Sequence, residues 1–192
     1  MIVRRSGVRS LGGTAFALIL AAGLLHAVSA QTQSADASRL GQAIGASGLP
    51  VPRFVSLKSD RVHSRQGPGT EYKVLWVYRR AGLPLEVIRE YDGWRQVRDS
   101  EGAEGWVVQS LVSGRRTALV MPWELKDGKK APKVKLLSDD RESSSPVAIL
   151  EAGVITNIRS CDSKWCYVSV GDYRGYIEQK RLWGVYPGEI IR

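Results

Sequence analysis

The pattern of apolar and polar positions downstream of residue 51 is that of short β-strands joined by tight turns. Residues 83–88 form one strand-like run, and residues 94–98 form a second run that would return beside it. Asp92-Gly93 lies between them, and Asp-Gly between two such runs is the strongest short-range signal of a β-hairpin. A polar loop at 99–104 then leads to another run at 105–108. Four or five short strands within about 60 residues predict a small β-barrel or sandwich.

The same pattern recurs farther along the chain. We interpret it as a tandem repeat with units at 51–114 and 117–187; the alternative is chance likeness between two β-rich segments. Thr117–Val120 is predicted to be the first strand of the second unit, and the second domain is placed at 115–190, including a basic loop at 124–133. With a shift of 71 residues and one deletion in the polar loop, the matched positions are Ala81-Gly82 with Ala152-Gly153, Trp94 with Trp165, Val97 with Val168, and Gly105-Trp106-Val107 with Gly175-Tyr176-Ile177.

The N-terminal segment has the features of an export signal. Arg4, Arg5 and Arg9 give it a basic start, an apolar stretch follows at 11–28, and Val28-Ser29-Ala30 supplies small residues for cleavage. An uncleaved membrane anchor is the alternative, but it needs about 20 consecutive apolar residues, and this run is shorter. We therefore predict a signal peptide at 1–30 that is cleaved after Ala30, and a flexible linker at 31–50. The mature protein is then expected to be periplasmic or secreted, without an integral membrane segment.

The composition is that of a globular protein with a basic surface. The chain has 192 residues, of which 43% are apolar and 24% are charged, and its formal net charge is +9. Loss of residues 1–30 removes three arginines and no acidic residue, which leaves a charge of +6. Outside the cytoplasm, such a charge favours anionic lipid, lipopolysaccharide or cell-wall polymer over nucleic acid as a partner. We prefer the alternative interpretation of this charge, in which the basic residues form an ordinary solvated surface and bind none of these partners.

Catalytic and metal-binding chemistry finds little support in the sequence. The chain has two histidines, and His26 lies in the predicted signal peptide, so a histidine-rich metal site or a Ser-His-Asp triad has almost nothing to be built from. The close acidic pairs, Asp139-Asp140 and Glu101 with Glu104, lie in polar loops, where carboxylates are normally solvated. A glycosidase needs two carboxylates in one cleft, one of them buried. We therefore predict that the protein is not an enzyme and uses no cofactor and no metal.

Cys161 and Cys166 are the two cysteines of the chain, and we predict that they form a disulfide. In the repeat alignment they match Glu90 and Arg95, which lie on either side of the first unit's hairpin turn. Residues that face each other across a four-residue hairpin loop have Cα atoms roughly 4.5–5.5 Å apart, a separation that a disulfide permits. Export would also take the pair into an oxidising compartment. A redox-active pair or half of a metal site is the alternative, but the spacing is not Cys-x-x-Cys and no histidine is nearby.

Three groups of residues follow one another in the first unit: Arg65, Gly67-Pro68-Gly69-Thr70 and Tyr72, then Gly93, Trp94 and Val97, then Gly105, Trp106 and Val107. The first group resembles the opening of a bacterial SH3-like domain, in which an Asn-x-Arg-x-Gly-Pro-Gly-Thr-x-Tyr stretch forms a long loop after the first strand, and the later groups fit the same family in order. The resemblance covers residues 54–112 well and 134–183 more loosely. It departs from the family at His63, which stands where Asn is usual, and in the second unit, which lacks Gly-Pro-Gly-Thr. The resemblance implies an all-β protein with two tandem five-stranded SH3-like barrels that bind cell-wall or peptide ligands without catalysis.

Aromatic residues beside this motif are candidates for a ligand-binding groove. Tyr72, Trp76 and Tyr78 follow the Gly-Pro-Gly-Thr loop, and Trp76 and Tyr78 would share one face of a strand. Together with Arg65 they could line a shallow groove for an extended peptide or a sugar. The alternative is that these aromatic residues fill the core, the role predicted for Trp94, Trp106, Trp165 and Tyr176. In the second unit, the candidate ligand-binding residues are Tyr173 and Trp183.

Two classes of function remain. The first is a ligand-binding module of the cell envelope that recognises cell-wall polymer or an extended peptide. The second is a structural or interaction protein whose barrels dock onto another exported protein. Nucleic acid is not expected as a partner because of export, although a small aromatic-rich barrel could also be an OB-fold.

Overall fold

The part of the chain that the structure describes is all-β, as predicted. The computed structural model describes residues 43–125 and 130–192, and these residues lie in one compact unit. The predicted signal peptide, the linker up to residue 42 and residues 126–129 of the basic loop lie outside the described residues. The described residues contain no candidate membrane-spanning helix.

The first large sheet is antiparallel and is preceded by a short hairpin of β1 (Ala43–Ile44) and β2 (Pro50–Val51). The sheet comprises β3 (Arg53–Leu57), β4 (Val62–Arg65), β5 (Val74–Tyr78), β6 (Pro84–Tyr91), β7 (Trp94–Arg98), β8 (Glu104–Val108) and β9 (Val112–Ser113). Across the sheet the strands lie in the order β5-β4-β8-β7-β6-β3-β9. We call strands β3–β9 the first module.

The second sheet repeats this arrangement strand for strand. It comprises β10 (Thr117–Val120), β11 (Lys133–Leu137), β12 (Pro146–Glu151), β13 (Ile155–Asp162), β14 (Trp165–Val170), β15 (Tyr173–Glu178) and β16 (Leu182–Trp183). Their order is β12-β11-β15-β14-β13-β10-β16, and β17 (Ile190–Ile191) pairs additionally with β13. Short 3₁₀ turns occupy Gln109–Leu111, Pro122–Glu124 and Gln179–Arg181. The predicted tandem repeat is thus confirmed, and we call strands β10–β17 the second module.

The glycines of the two recurring Ala-Gly pairs make the same turn. Gly82 and Gly153 have φ angles of 76° and 81°, in the left-handed region that favours glycine. The Gly82 N–H donates to the carbonyl of Leu57 at 2.8 Å, and the Gly153 N–H donates to that of Val120 at 2.6 Å. Each turn therefore ties the start of the longest strand of its module to the module's first strand.

Each module has its own apolar core. The first is built from Val55, Leu57, Val62, Tyr78, Leu85, Val87, Val97 and Val107. The second is built from Ala118, Val120, Val134, Leu136, Leu150, Ile158, Cys161, Cys166, Val168, Ile177, Leu182 and Val185. Along β4 and β7 the buried residues alternate with exposed or half-buried ones, as expected when one face of a sheet covers the core. The first strands differ, because residues 54–57 of β3 and all of β10 are buried.

Two of the four aromatic residues predicted to lie in the cores do not. Trp106 and Trp165 are buried, as predicted, whereas Trp94 and Tyr176 are only half-buried. The ring of Tyr176 packs against that of Tyr167 on the neighbouring strand, with 5.0 Å between ring centroids. A cross-strand aromatic pair of this kind covers the sheet instead of filling the barrel.

The last part of the predicted linker is structured, in contrast to the flexible segment expected there. Residues 43–44 and 50–51 pair as β1 and β2, and Ser47 between them binds the first module. The Ser47 N–H donates to Glu90 Oε2 at 2.7 Å, and its hydroxyl donates to Glu90 Oε1 at 2.8 Å. The buried carboxylate of Glu90 thus orders residues 43–50, a segment whose polar composition by itself predicted a flexible linker.

Candidate functional site

The motif loop of the first module, which we define as residues 66–73, is closed by Arg65. This side chain, at the end of β4, donates from Nη1 to the carbonyls of Thr70 at 2.8 Å and Tyr72 at 2.7 Å. A backbone hydrogen bond from Gln66 to Lys73, 3.0 Å long, closes the base of the loop. The geometry makes Arg65 a positioning residue, because its guanidinium is already committed to the loop carbonyls that it clamps.

Gly67 is required because the ring of Tyr72 lies directly on it. A Cβ atom at Gly67 would come within 2.5 Å of two ring carbons of Tyr72, a distance that real Cβ atoms do not show. At Gly69 the atoms nearest to a Cβ atom would be those of the Glu71 carboxylate, which is the far end of a flexible side chain and can move away. Gly67 is therefore the glycine of the motif that lets the Tyr72 ring lie against the loop. The Tyr72 side chain remains 42% exposed on the outside of this loop.

The structure separates Trp76 and Tyr78, which the sequence placed in the same groove. Tyr78 is only 7% exposed and belongs to the core, whereas Trp76 is half-buried and packs against that core. The two rings meet edge to face with 6.1 Å between centroids. The Tyr78 hydroxyl donates to Asp99 Oδ2 at 3.3 Å, and burial raises the pKa of this phenol. Burial removes Tyr78 from the predicted groove and leaves Tyr72 and Trp76 as its accessible aromatic residues.

Among its described residues, the second module has no counterpart of this arginine clamp. Arg65 pairs with Trp106 between β4 and β8, and the equivalent pair between β11 and β15 is Leu137 with Tyr176. Leu137 is buried and has no group that could hold loop carbonyls. The loop that follows instead carries an exposed ion pair between Asp139 and Arg141. The absence of Gly-Pro-Gly-Thr is therefore accompanied by the loss of the residue that organises the loop.

Tyr173 and Trp183, the predicted binding residues of the second module, are not brought together. Tyr173 begins β15 and is 58% exposed, whereas Trp183 lies in the short strand β16. Strands β14, β13 and β10 separate β15 from β16 in the sheet order. The two residues therefore do not form a shared groove, and Trp183 is found at the contact between the modules.

An aromatic cluster connects the two modules. The Phe54 ring of β3 lies edge-on to Trp183, with 5.3 Å between centroids, and tilted against Tyr186 at 4.8 Å. The Tyr186 hydroxyl donates to Glu86 Oε1 at 3.0 Å, and burial together with the nearby charge of Glu86 raises the pKa of Tyr186. Arg116 lies over the Phe54 ring at 6.0 Å. Sequence reasoning missed Phe54 and Glu86, because their partners lie in the other module, far away in the chain.

Polar contacts, most of them buried, join the modules beside this cluster. The hydroxyls of Ser56 and Thr117 lie 2.7 Å apart, and the Thr117 hydroxyl donates to the carbonyl of Gly82 at 2.7 Å. Arg80 Nη2 donates to the carbonyl of Gly153 at 2.9 Å. These bonds connect β3 and the turn before β6 in the first module with β10 and the turn before β13 in the second module. Together with the aromatic cluster, they give the two modules a direct contact that is both polar and apolar.

A cavity of about 610 Å³ opens next to the junction. Phe54 and Glu86 of the first module form one part of its wall, and the second module supplies the rest. The second module's contribution comes from the 3₁₀ turn after β10, the β13–β14 hairpin tip and residues 178–188.

Cys161 and Cys166 form the predicted disulfide, with 4.1 Å between their Cα atoms. They are direct partners across β13 and β14, and the connecting turn is the two residues Ser163-Lys164 instead of the four-residue loop predicted. Hydrogen bonds from the backbones of Trp165 and Lys164 lower the pKa of Asp162, which closes this turn. Within the described residues, no group of three or more His, Cys, Asp and Glu side chains could hold a metal ion.

Comparison with known proteins gives a family and distant structural likenesses. Among solved structures, the chain is similar to NlpC2 and NlpC1 from Trichomonas vaginalis, each at 11% identity and a TM-score of 0.31. The matches cover 69% and 73% of this chain and 48% of each of the other chains, so it spans about half the length of these structures. A search of curated proteins gave no match.

The family match falls on both modules. A family model described as the bacterial SH3 domain matches residues 58–114 and again residues 130–184. The first match includes the clamped loop, and the second includes the loop without a clamp. The two matches cover more than half of the chain, which therefore belongs to the bacterial SH3 domain family and carries two copies of the domain in tandem.

Proposed function

We propose that the protein is a non-catalytic binding protein of the cell envelope that recognises cell-wall polymer or an extended peptide through its first module. Membership of a family of binding modules supports this class of function. The observation that carries the proposal is the exposed ring of Tyr72, held on Gly67 by a loop that Arg65 clamps.

A loop held in this way loses little conformational freedom on binding. Arg65 fixes the backbone carbonyl of Tyr72, and the Tyr72 ring lies on Gly67, so the loop already presents the ring before a ligand arrives. Preorganisation of this kind raises affinity by reducing the entropy cost of association. In β5, which follows the loop, Trp76 is half-buried and Leu75 is 42% exposed.

The flat apolar faces of sugars and of extended peptides pack on aromatic rings, while polar groups at the rim fix their orientation. The second module lacks both the clamp and the glycine-rich loop. We therefore propose that ligand recognition by this loop is confined to the first module.

Bacterial SH3 modules together with a disulfide are typical of an extracytoplasmic protein. We further propose that residues 1–30 are a signal peptide removed after Ala30. N-terminal sequencing of the protein from its native compartment should then begin at Gln31. A cytoplasmic protein that retains the first 30 residues would overturn this proposal.

Co-sedimentation of the mature chain with purified peptidoglycan sacculi tests the proposed function. Tyr72→Ala and Trp76→Ala should each weaken binding by about 2 kcal/mol, or about thirty-fold in Kd, if these side chains are anchors. Tyr91→Ala is the matched control, because Tyr91 is 62% exposed in the same module but lies outside the motif loop. Binding that Tyr72→Ala and Tyr91→Ala affect equally, or capture of one exported protein with no binding to sacculi, would contradict the proposal.

A further inference from the structure

The cavity at the module junction has the size and lining of a second binding site, distinct from the motif loop. We propose that it binds an apolar segment of a partner polypeptide that carries a carboxylate next to Lys164. Its volume of about 610 Å³ falls within the range of pockets that enclose small ligands or several side chains. Because Phe54 and Glu86 come from one module and Trp183 and Tyr186 from the other, neither module alone forms the site.

The wall of the cavity is mostly aromatic and aliphatic. Phe54, Trp183 and Tyr186 are fixed against one another by their ring contacts, so this part of the wall is rigid. Trp123 also lines the cavity and is 47% exposed, which leaves a large indole available to a partner. Tryptophan and tyrosine side chains in a preformed pocket are the residue types that dominate binding energy in protein interfaces.

Several polar side chains of the wall are occupied by bonds within the protein, whereas the Trp183 Nε1–H is buried without a hydrogen-bond partner. Gln179 donates from Nε2 to the carbonyl of Glu189 at 2.7 Å and accepts at Oε1 from the Gly188 N–H at 2.8 Å. Glu86 accepts from Tyr186, and Glu178 forms ion pairs with two basic neighbours. Sugar hydroxyls buried here would find few free partners, and unpaired buried hydroxyls are costly. Apolar side chains of a polypeptide fit the wall better than a glycan does.

Lys164 gives the cavity its preference for a ligand that carries a negative charge. It lies at the tip of the β13–β14 hairpin, lines the cavity, and makes no hydrogen bond or ion pair through its ammonium group within the described residues. Asp162 is near enough to interact with it electrostatically. The other lining lysine, Lys180, is bound to Glu178. An accessible cation at the edge of an apolar cavity favours a carboxylate from an acidic side chain or a chain terminus.

Selection from a random peptide library tests the site, because such a library samples many apolar and acidic sequences at once. The phage-displayed library is panned on the mature chain, and the best binder is synthesised both as the acid and with its carboxylates replaced by amides. We expect apolar sequences that contain an acidic residue. Trp123→Ala should weaken binding of the acid form by about thirty-fold. Lys164→Ala should weaken the acid form and leave the amide form unchanged.

Two control variants make the result specific. Ile149→Ala removes a side chain that is 51% exposed in the same module but does not line the cavity, and it should bind as the wild type does. Tyr72→Ala should also bind normally, which separates this site from the motif loop. Three results would overturn the proposal: no selected peptide, selected peptides that bind Trp123→Ala as well as wild type, and binding that Tyr72→Ala abolishes. If the protein binds phosphatidylglycerol vesicles in a manner that depends on Trp123 but binds no peptide, the ligand of the cavity is a lipid. That result would also overturn the proposal.

Discussion

Glu90 and Arg95 face each other across the β6–β7 hairpin as a buried ion pair, with 3.0 Å between Glu90 Oε1 and Arg95 Nε. In the second module the same register position is occupied by Cys161 and Cys166. Both pairs cross-link the two strands next to the hairpin turn, one by charge and the other by a covalent bond. The outer end of each long strand is also covered by a terminal segment, β1–β2 through Ser47 in the first module and β17 in the second.

Arg95→Ala should destabilise the first module by about 2 kcal/mol. The Arg95 side chain is 3% exposed, and its loss leaves Glu90 buried with one fewer partner, although Arg53 and Ser47 remain bound to it. Denaturant unfolding followed by tryptophan fluorescence measures the change. Arg141→Ala is the control, because its ion pair with Asp139 is exposed to solvent and should contribute little to stability. Equal effects of the two variants would contradict this assignment.

Removal of the disulfide should cost about 2 kcal/mol, because the bond closes a short loop and constrains the unfolded chain only modestly. Cys161→Ala combined with Cys166→Ala is compared with the wild type by thermal unfolding, with and without reductant, because a serine hydroxyl at either core position would add a desolvation cost. The oxidised wild type should also be about 2 Da lighter than its reduced form by mass spectrometry. Two freely alkylatable thiols in the protein from its native compartment would refute the bond.

Acid should weaken the first module through Glu90. Burial by itself would raise the pKa of Glu90, but hydrogen bonds from Ser47 and Arg53 outweigh it and lower the pKa below the ordinary value of 4.5. A carboxyl whose pKa is lower in the folded state stabilises the fold fully above the unfolded pKa. That stabilisation is lost as pH falls through the lower folded pKa. Unfolding free energy measured from pH 7 downward should therefore decrease below about pH 4.5, and Glu90→Gln should flatten this dependence.

Tyr186→Phe should lower the stability of the junction by about 1 kcal/mol. The substitution keeps the ring on Phe54 but removes the hydrogen bond to the largely buried carboxylate of Glu86. Tyr173→Phe is the matched control, because Tyr173 is 58% exposed and its hydroxyl makes no hydrogen bond within the described residues. Calorimetry gives the stability change of each variant. A loss of stability in the control equal to that in Tyr186→Phe would argue against the proposed role of the bond.

Arg65→Ala should loosen the motif loop while the barrel stays folded. The carbonyls of Thr70 and Tyr72 would lose their donor, so amide hydrogen exchange within residues 66–73 should accelerate. Arg61→Ala is the control, because the Arg61 side chain makes no hydrogen bond to the described residues. Unchanged exchange in Arg65→Ala would show that the loop is held by its glycines and backbone bonds alone.

The sequence by itself determined the features that depend on local chemistry. Gly82 and Gly153 mark turns that need a positive φ angle, and Asp92-Gly93 marks a hairpin. The match of Trp94 with Trp165 aligns the two modules, whose sheets have the same strand order. Because strand register follows from these turns, the alignment also placed Cys161 opposite Cys166. Such signals are readable because each involves residues close together in the chain.

Only the tertiary structure decided which aromatic side chains face solvent and how the modules meet. Tyr78 and Trp76 share a strand face, yet one is in the core and the other half-buried, because barrel closure determines how deeply each position lies. The Phe54–Trp183 contact and the Tyr186–Glu86 hydrogen bond join residues about 100 positions apart or more. No sequence periodicity or motif predicts such a pairing. The free energy of a long-range contact depends on how the folded surfaces pack, and that packing is not visible in the local sequence.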